Sequence, residues 1–262
     1  AVVQTSPGEE ATVEARVGER MGAMYGPGFV RVEEGPMAGE IIIGTSGLPV
    51  KTSDIGMDPV YLGNFNPDWT GGIYNNFSFK GFYAGILFDV RHGGKFLSRF
   101  FNKAMGAGQL LESAEGRAAR VVGTEYDDPY YHAGAVDMGD GTYEQNLQIF
   151  DGTYSAGIYG TSARNFHKSY YDHNSESQMF DASFVKLREL KIGYQVPNAI
   201  MGNLPFRNVS VSFVGRNLKL WTDNQHFDPE TGATTGSGLV PGFENMSIPS
   251  TKSYGFNLSF NL

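Results

Sequence analysis

Five histidines, His92, His132, His167, His173 and His226, are the side chains best suited to acid–base or metal chemistry near neutral pH. Their spacing suits neither role. None belongs to an H-E-x-x-H arrangement, and His167 and His173 stand six residues apart in a polar stretch, where solvated loop residues are the plainer reading. Asp137-Met138-Gly139-Asp140-Gly141 opens like a calcium loop but lacks the acid that should close it at the twelfth position, so it reads as an acidic turn. Ser46, within Gly44-Thr45-Ser46-Gly47, has no assignable base. Gly106-Ala107-Gly108 follows no strand and is not a phosphate loop. With no cysteine, thiol chemistry, disulfides and Cys-based zinc sites are excluded. The expectation is no catalytic residue, no metal and no cofactor.

Aromatic rings are the other chemistry-bearing groups. Tyr126, Tyr130, Tyr131, Tyr143, Tyr154, Tyr159, Tyr170 and Tyr171 crowd one region, where ring faces can stack on sugars or peptides, or pack under a partner. Residue types alone do not divide them between ligand and partner, and the substrate-binding residues stay unassigned. Trp69, Trp221 and Tyr254 are candidate membrane-interface aromatics, because an amphipathic ring suits the headgroup level; plain core packing is the alternative.

The elements that would position these groups are strands. In the segment 251–262, Tyr254, Phe256, Leu258, Phe260 and Leu262 fall on one parity; Ser253, Gly255, Asn257, Ser259 and Asn261 fall on the other. Strand side chains alternate between faces, so one face is fully apolar and the other small and polar, as expected where lipid lies outside and water inside. Composition agrees. Gly numbers 35, aromatics make up 13% and charged residues only 18%, while no apolar run approaches the length of a membrane helix. Any membrane crossing must use strands. The net charge of -8, without a dense basic patch, argues against a nucleic-acid partner. No secretory leader is legible at 1–20, so an N-terminal portion is expected to be missing.

Along the chain, 1–10 is polar and expected to be poorly ordered. Val13, Ala15 and Val17 alternate with Thr12, Glu14 and Arg16, which predicts a strand; short pieces follow at 29–32 and 40–43, and 44–67 reads as loop. Residues 72–91 read as a hairpin turning at Lys80-Gly81, with Ile73, Phe77 and Phe79 on one face of the first arm and Phe82, Ala84, Ile86, Phe88 and Val90 on one face of the second. Asp89 and Arg91 would lie on the wet face. Residues 92–181 form a long insert of weak periodicity with a short helix within 96–111. Residues 184–196 form a strand whose parity slips from Val185 and Leu187 to Leu190, Ile192 and Tyr194, which predicts a bulge near Arg188-Glu189. A further strand covers 207–221, with a phase shift toward Leu218 and Leu220, and a loop runs over 222–250. Short connections alternate with long ones, as the two ends of an outer-membrane barrel require.

Several stretches resemble one family, the SusC/RagA-like TonB-dependent outer-membrane transporters of Bacteroidetes. They are Gly63-Asn64-Phe65-Asn66-Pro67-Asp68-Trp69-Thr70-Gly71-Gly72, Phe79-Lys80-Gly81-Phe82, and Phe88-Asp89-Val90-Arg91-His92-Gly93-Gly94. To these are added the run from Ala182 to Tyr194, Val214-Gly215-Arg216-Asn217-Leu218 with Trp221-Thr222, Phe227-Asp228-Pro229-Glu230, and the approach 249–254 to the last strand. The matches stand in the family's order and span about 60–262.

The resemblance implies an all-β, antiparallel transmembrane β-barrel segment: about six strands of a larger, 22-stranded barrel with long extracellular loops. The divisions are 1–71 (strand plus extracellular loop), 72–91 (hairpin), 92–181 (long extracellular loop) and 182–262 (the last three strands). The plug domain is absent from this segment. It further implies nutrient import of oligosaccharides or oligopeptides across the bacterial outer membrane, not an enzyme. The implied partners are the remainder of the barrel and plug, a SusD-like surface lipoprotein, TonB through the missing plug, and outer-membrane lipid. By the same resemblance, Tyr254, Phe256, Leu258, Phe260 and Leu262 form a barrel-assembly signal, from which Leu262 departs because the usual terminal residue is Phe. The rival reading is a soluble all-β carbohydrate-binding or cell-surface adhesion module.

Overall fold

A computed structural model describes residues 2–5, 11–114, 129–146, 157–202, 205–230, 233–235 and 238–261. The chain divides into two units. The unit made of Asn66–Lys95, Asp181–Gly232 and Ser247–Leu262 is built on a five-stranded sheet: β1 (Trp69–Phe79), β2 (Phe82–His92), β3 (Phe184–Gln195), β4 (Arg207–Trp221) and β5 (Ser253–Asn261). Each strand pairs antiparallel with its neighbours in sequence, which gives an up-and-down meander with β1 and β5 at its edges.

The β1–β2 turn is as tight as the sequence predicts. Lys80 has φ 48° and Gly81 φ 87°, the two left-handed positions of a two-residue turn that follows strand twist. A Cβ on Gly81 would come within 2.8 Å of the Gln195 carbonyl oxygen, so glycine is required there for space as well as conformation.

Register then sorts side chains by face. Phe82, Tyr194, Val211 and Leu258 share one row; Ala84, Ile192, Phe213 and Phe256 share the next on the same face. Between them, on the opposite face, lies the row Tyr83, Gly193, Ser212 and Asn257. The predicted bulge is present. Leu187 opposes Phe88 while Glu189 opposes Leu87, so Arg188 is the extra residue. That insertion brings Val185 and Leu187 onto the same face as Leu190 and Ile192, since each extra residue reverses strand parity. A second irregularity falls on β4 beside it: Leu187 opposes Lys219 and Glu189 opposes Arg216, with Asn217 at φ 51°. Leu220 pairs with Lys186 and therefore shares the polar face, whereas Leu218 lies against the Cβ direction of Gly215.

The other unit comprises Ala1–Phe65, Phe96–Phe180 and Ala233–Met246. The alternation at 13–17 does not extend into the five-stranded sheet. Only Thr12–Glu14 is a strand, within a small antiparallel sheet with Val2–Thr5, Ala23–Gly26 and Val60–Asn64. Val13 is buried, but Val17 is 106% exposed beyond the strand. Val60–Asn64 lies in a stretch that composition reads as loop; pairing with Ala23–Gly26 overrides its weak local preference. Met24, Leu97, Val240 and Phe243 form its core with Ala11 and Val13.

The described part of 96–180 is more structured than its weak periodicity predicts. Helix α1 (Arg99–Ala107) falls within the expected stretch, and α2 (Ala163–Ser169) was not legible. Ser98 caps α1: its Oγ accepts from the Phe101 N–H at 3.1 Å and donates to Glu244 Oε2 at 2.7 Å. Glu244 thus places negative charge at the positive end of the helix. Tyr130, Ala163 and Phe166 form a second small core with Leu48 and Tyr170.

Candidate functional site

The five-stranded sheet presents two surfaces of opposite chemistry. Its apolar face carries Ile73, Phe77, Phe79, Phe82, Ile192, Val211, Phe256, Leu258 and Phe260, all exposed and reaching 84% at Phe256. Trp69 and Trp221 are exposed on this face at the end opposite the Lys80-Gly81 turn, where Trp69 begins β1 and Trp221 ends β4. Trp69 stacks on His92 with ring centroids 5.6 Å apart, and Trp221 lies 6.3 Å from Phe88. Tyr254 shares the face but not the position. It opposes Gly215, in the row of Ile86 and Leu190, and its ring stacks 6.1 Å from Phe213. Tyr254, Phe256, Leu258 and Phe260 are all exposed along the edge strand; Leu262 lies outside the described residues.

The polar face bears a charge network at the bulge. Lys186 is 1% exposed, and its Nζ donates to Asp228 Oδ2 at 2.8 Å, Glu230 Oε2 at 2.7 Å and Ser250 Oγ at 3.1 Å. Ser250 also donates to Asp228, whose Oδ1 accepts from the Glu230 N–H at 3.1 Å. The Arg188 guanidinium forks between Asp89, at 3.0 and 2.7 Å, and Glu230, at 2.8 Å to Oε2 and also to Oε1, and reaches Asn217 Oδ1 at 3.3 Å. Arg216 Nε bonds Glu189 at 3.1 Å.

The bulge makes this possible, because an inserted residue brings Arg188 toward the polar face alongside its neighbour Glu189. A buried ammonium without partners would be prohibitive, and Lys186 is retained because two carboxylates and a hydroxyl surround it. Burial pushes the Asp228 carboxyl upward, but bonds from Lys186 and Ser250 outweigh it and hold it below the usual carboxylate range. Bonds from Arg188 lead in lowering Glu230. The network fixes 228–230 and Ser250, both in the long connection between β4 and β5, to the polar side of β2 and β3. Sequence reasoning placed Asp89 on this face but assigned no role to Lys186, Asp228 or Glu230. The signal was the charge carried by this strand, Lys186, Arg188, Glu189 and Lys191.

The residues first weighed for chemistry lie elsewhere. His132 stacks on Phe166 at 5.2 Å, and burial holds it below its ordinary pKa. His167 is buried in α2, while His173 is exposed beside Asp172 at 3.8 Å. Asp137 and Asp140 accept the Gly139 and Thr142 N–H groups at 2.8 and 2.9 Å and so shape their own turn. No group of three or more potential ligands that could hold a metal is found among the described residues, and no described helix is long and apolar enough to cross a membrane, which leaves crossing by strands open.

No protein-family profile matches the chain. Individual relatives do. TonB-dependent receptor P39 of Formosa agariphila is 24% identical over 210 residues, covering 79% of this chain and 17% of that protein. TonB-dependent receptor P3 of the same organism is 22% identical, covering 98% and 24%. Among solved structures, the RagAB peptide importer in its open-open state aligns over 95% of this chain and 25% of its own, with TM-score 0.51 and 18% identity. The closed-closed state aligns over 90% and 24%, with TM-score 0.52. The chain therefore spans about a quarter or less of the length of these relatives, which are described as receptors and importers, not enzymes. At that identity the structural likeness speaks for the fold, which is that of part of the RagAB importer, and the receptor sequences add descent: over most of its length the chain is a distant homologue of the TonB-dependent receptors.

Proposed function

We propose that the chain forms part of the wall and outer loops of a TonB-dependent importer in the bacterial outer membrane. Its cargo is oligopeptide or oligosaccharide, its surface partner a RagB-like (SusD-like) lipoprotein, and its energy source TonB, reached through a plug in the same or a separate polypeptide. The observation that carries this reading is the two-faced sheet. One face leaves phenylalanines and branched aliphatics in the open, far beyond the few hundred Å² of apolar patch that a soluble monomer tolerates. The other face carries paired charges, Lys186 with Asp228 buried and Arg188 with Asp89 partly exposed. Lipid outside and a wet interior account for both. The strands contain 11, 11, 12, 15 and 9 residues, enough to cross the hydrocarbon when tilted.

The edges imply what completes the wall. β1 and β5 each have one partner in the sheet. In hydrocarbon each unpaired backbone group costs several kcal/mol, so two open edges of about ten residues would cost tens of kcal/mol. Further strands must pair with both, as in a barrel of about 22 strands. The connection at Lys80-Gly81 and the one between β3 and β4 are short; those between β2 and β3 and between β4 and β5 are long. Short turns face the periplasm in such barrels, so the end bearing Trp69 and Trp221 faces outward. The exposed row Tyr254, Phe256, Leu258 and Phe260, with Leu262, serves as the barrel-assembly signal.

The test is extraction and native mass. Membrane association, a detergent requirement and a complex well above 28.6 kDa containing a lipoprotein are expected. A soluble monomer at 28.6 kDa would overturn the reading in favour of a soluble module.

A further inference from the structure

The small sheet of Thr12–Glu14, Ala23–Gly26 and Val60–Asn64 has a dry face and an open one. Val13 and Met24 oppose each other and lie in the core. On the other face Glu14, Ala23 and Asn64 share one row, and Thr12, Tyr25 and Tyr61 share the next. Residues 15–22 turn back over this face, and Asn64 holds the turn there: its Nδ2 donates to the Arg20 and Met21 carbonyl oxygens at 3.2 and 3.0 Å. Between turn and sheet lies a depression of about 520 Å³, with the small Ala23 at its floor. One wall is Tyr25. The Arg16 guanidinium lies on its ring, 3.4 Å from the centroid, and its hydroxyl donates to Glu19 Oε2. The other wall is Tyr61, whose ring is 5.6 Å from that of Tyr25 and 60% exposed, with Pro59 beside it. Arg20 completes the lining.

Arg16 is fixed in two ways. Its Nε bonds Glu14 Oε2 at 3.0 Å, and its plane rests on the Tyr25 ring. Among the described residues its two terminal nitrogens have no hydrogen-bond partner. The outer edge of the guanidinium therefore offers two parallel N–H groups in a set geometry, which matches a planar carboxylate. We propose that this depression holds the C-terminal carboxylate of an oligopeptide, with Arg16 as the fork that grips it. The proposal rests on the importer reading above and selects peptide from its two cargo classes. Glu14 and Glu19 offset the charges of Arg16 and Arg20, so the site suits a single carboxylate on an otherwise neutral chain, not a polyanion such as a uronate polymer. Glu19 Oε1 has no partner among the described residues and can accept an N–H. A peptide carries that donor on its last residue, at a set distance from its terminal carboxylate. Tyr61 and Pro59 offer the last side chain an apolar surface, and Ala23 leaves room for the terminus itself.

The intact receptor, purified in detergent, is incubated with an equimolar library of randomised octapeptides, half with free C-termini and half amidated. Retained peptides are counted by mass spectrometry, and maltoheptaose and oligogalacturonate are run in parallel. Loss of a charge-assisted bidentate contact should leave the amides at least about tenfold below the acids. Large apolar side chains should be enriched at the last position of the retained acids. Arg16→Gln should erase the acid-to-amide ratio, and Arg16→Lys, which keeps the charge without the fork, should bring it within about threefold of unity. Neither variant should change retention of the amidated peptides, which a merely structural role for Arg16 would alter. Equal retention of acids and amides, or a ratio that survives Arg16→Gln, would overturn the inference and leave the importer reading intact. So would retention of either saccharide without any peptide. Retention of neither peptide nor saccharide would overturn both.

Discussion

Replacing Lys186 with methionine keeps the length and removes the charge. Its ammonium is 1% exposed and holds three partners, while Asp228, 5% exposed, loses its ion pair with that ammonium. Removing one member of a buried pair typically costs about 3–5 kcal/mol, because the remaining charge is left uncompensated. The lower end applies here: Glu230 keeps Arg188, and Asp228 keeps the hydroxyl of Ser250 and the Glu230 N–H. A loss of about 3 kcal/mol, confined to release of the loop, raises its opening constant about 150-fold. The assay is hydrogen exchange of the peptides covering 222–230 in the intact receptor, with β2 and β3 as internal references. Exchange should accelerate by about two orders of magnitude in the loop and little in the strands. Asp228→Asn added to Lys186→Met should recover most of the protection, since the stranded charge is gone. A change below threefold in the single variant, or equal acceleration in the strands, would refute the claim that the network is a local clamp.

Acid should release the same clamp. Asp228 and Glu230 are held below their ordinary values of 3.8 and 4.5. Depressed carboxyl pKa values contribute stability that is complete above those ordinary values and is lost as pH falls through the lowered ones, so loop exchange, corrected for its intrinsic rate, should be flat from neutral to about pH 5 and rise below about pH 4. Phe256→Arg, on the apolar face, should cost about 2–4 kcal/mol of barrel stability in lipid, while Asn257→Arg, which opposes Ser212 on the polar face, should cost less than about 1 kcal/mol; unfolding titrations in vesicles compare them. Gly81→Val should cost at least about 1–2 kcal/mol in the same titration, for a left-handed position whose Cβ also meets the Gln195 carbonyl. Ser98→Ala should loosen α1 by about 0.5–2 kcal/mol, seen as faster exchange at the Phe101 N–H.

Sequence alone determined the features that depend on neighbours in the chain. Alternation over two residues identified both faces of the hairpin and of the last strand, because parity is a local property of extended backbone. The parity slip located the bulge at Arg188, since one inserted residue is the smallest change that restores a common face. Local pattern failed where pairing decided. Val13, Ala15 and Val17 alternate, yet only Thr12–Glu14 is a strand, and it pairs outside the five-stranded sheet. Val60–Asn64 is a strand because Ala23–Gly26 lies beside it. The Lys186 cluster was equally hidden: Asp228 lies 42 residues away and Ser250 64, and no periodicity connects such positions. Only the tertiary structure brings them together, through strand register and the return of the long connection between β4 and β5. A lysine buried on the polar face of one strand becomes stable once distant carboxylates surround it.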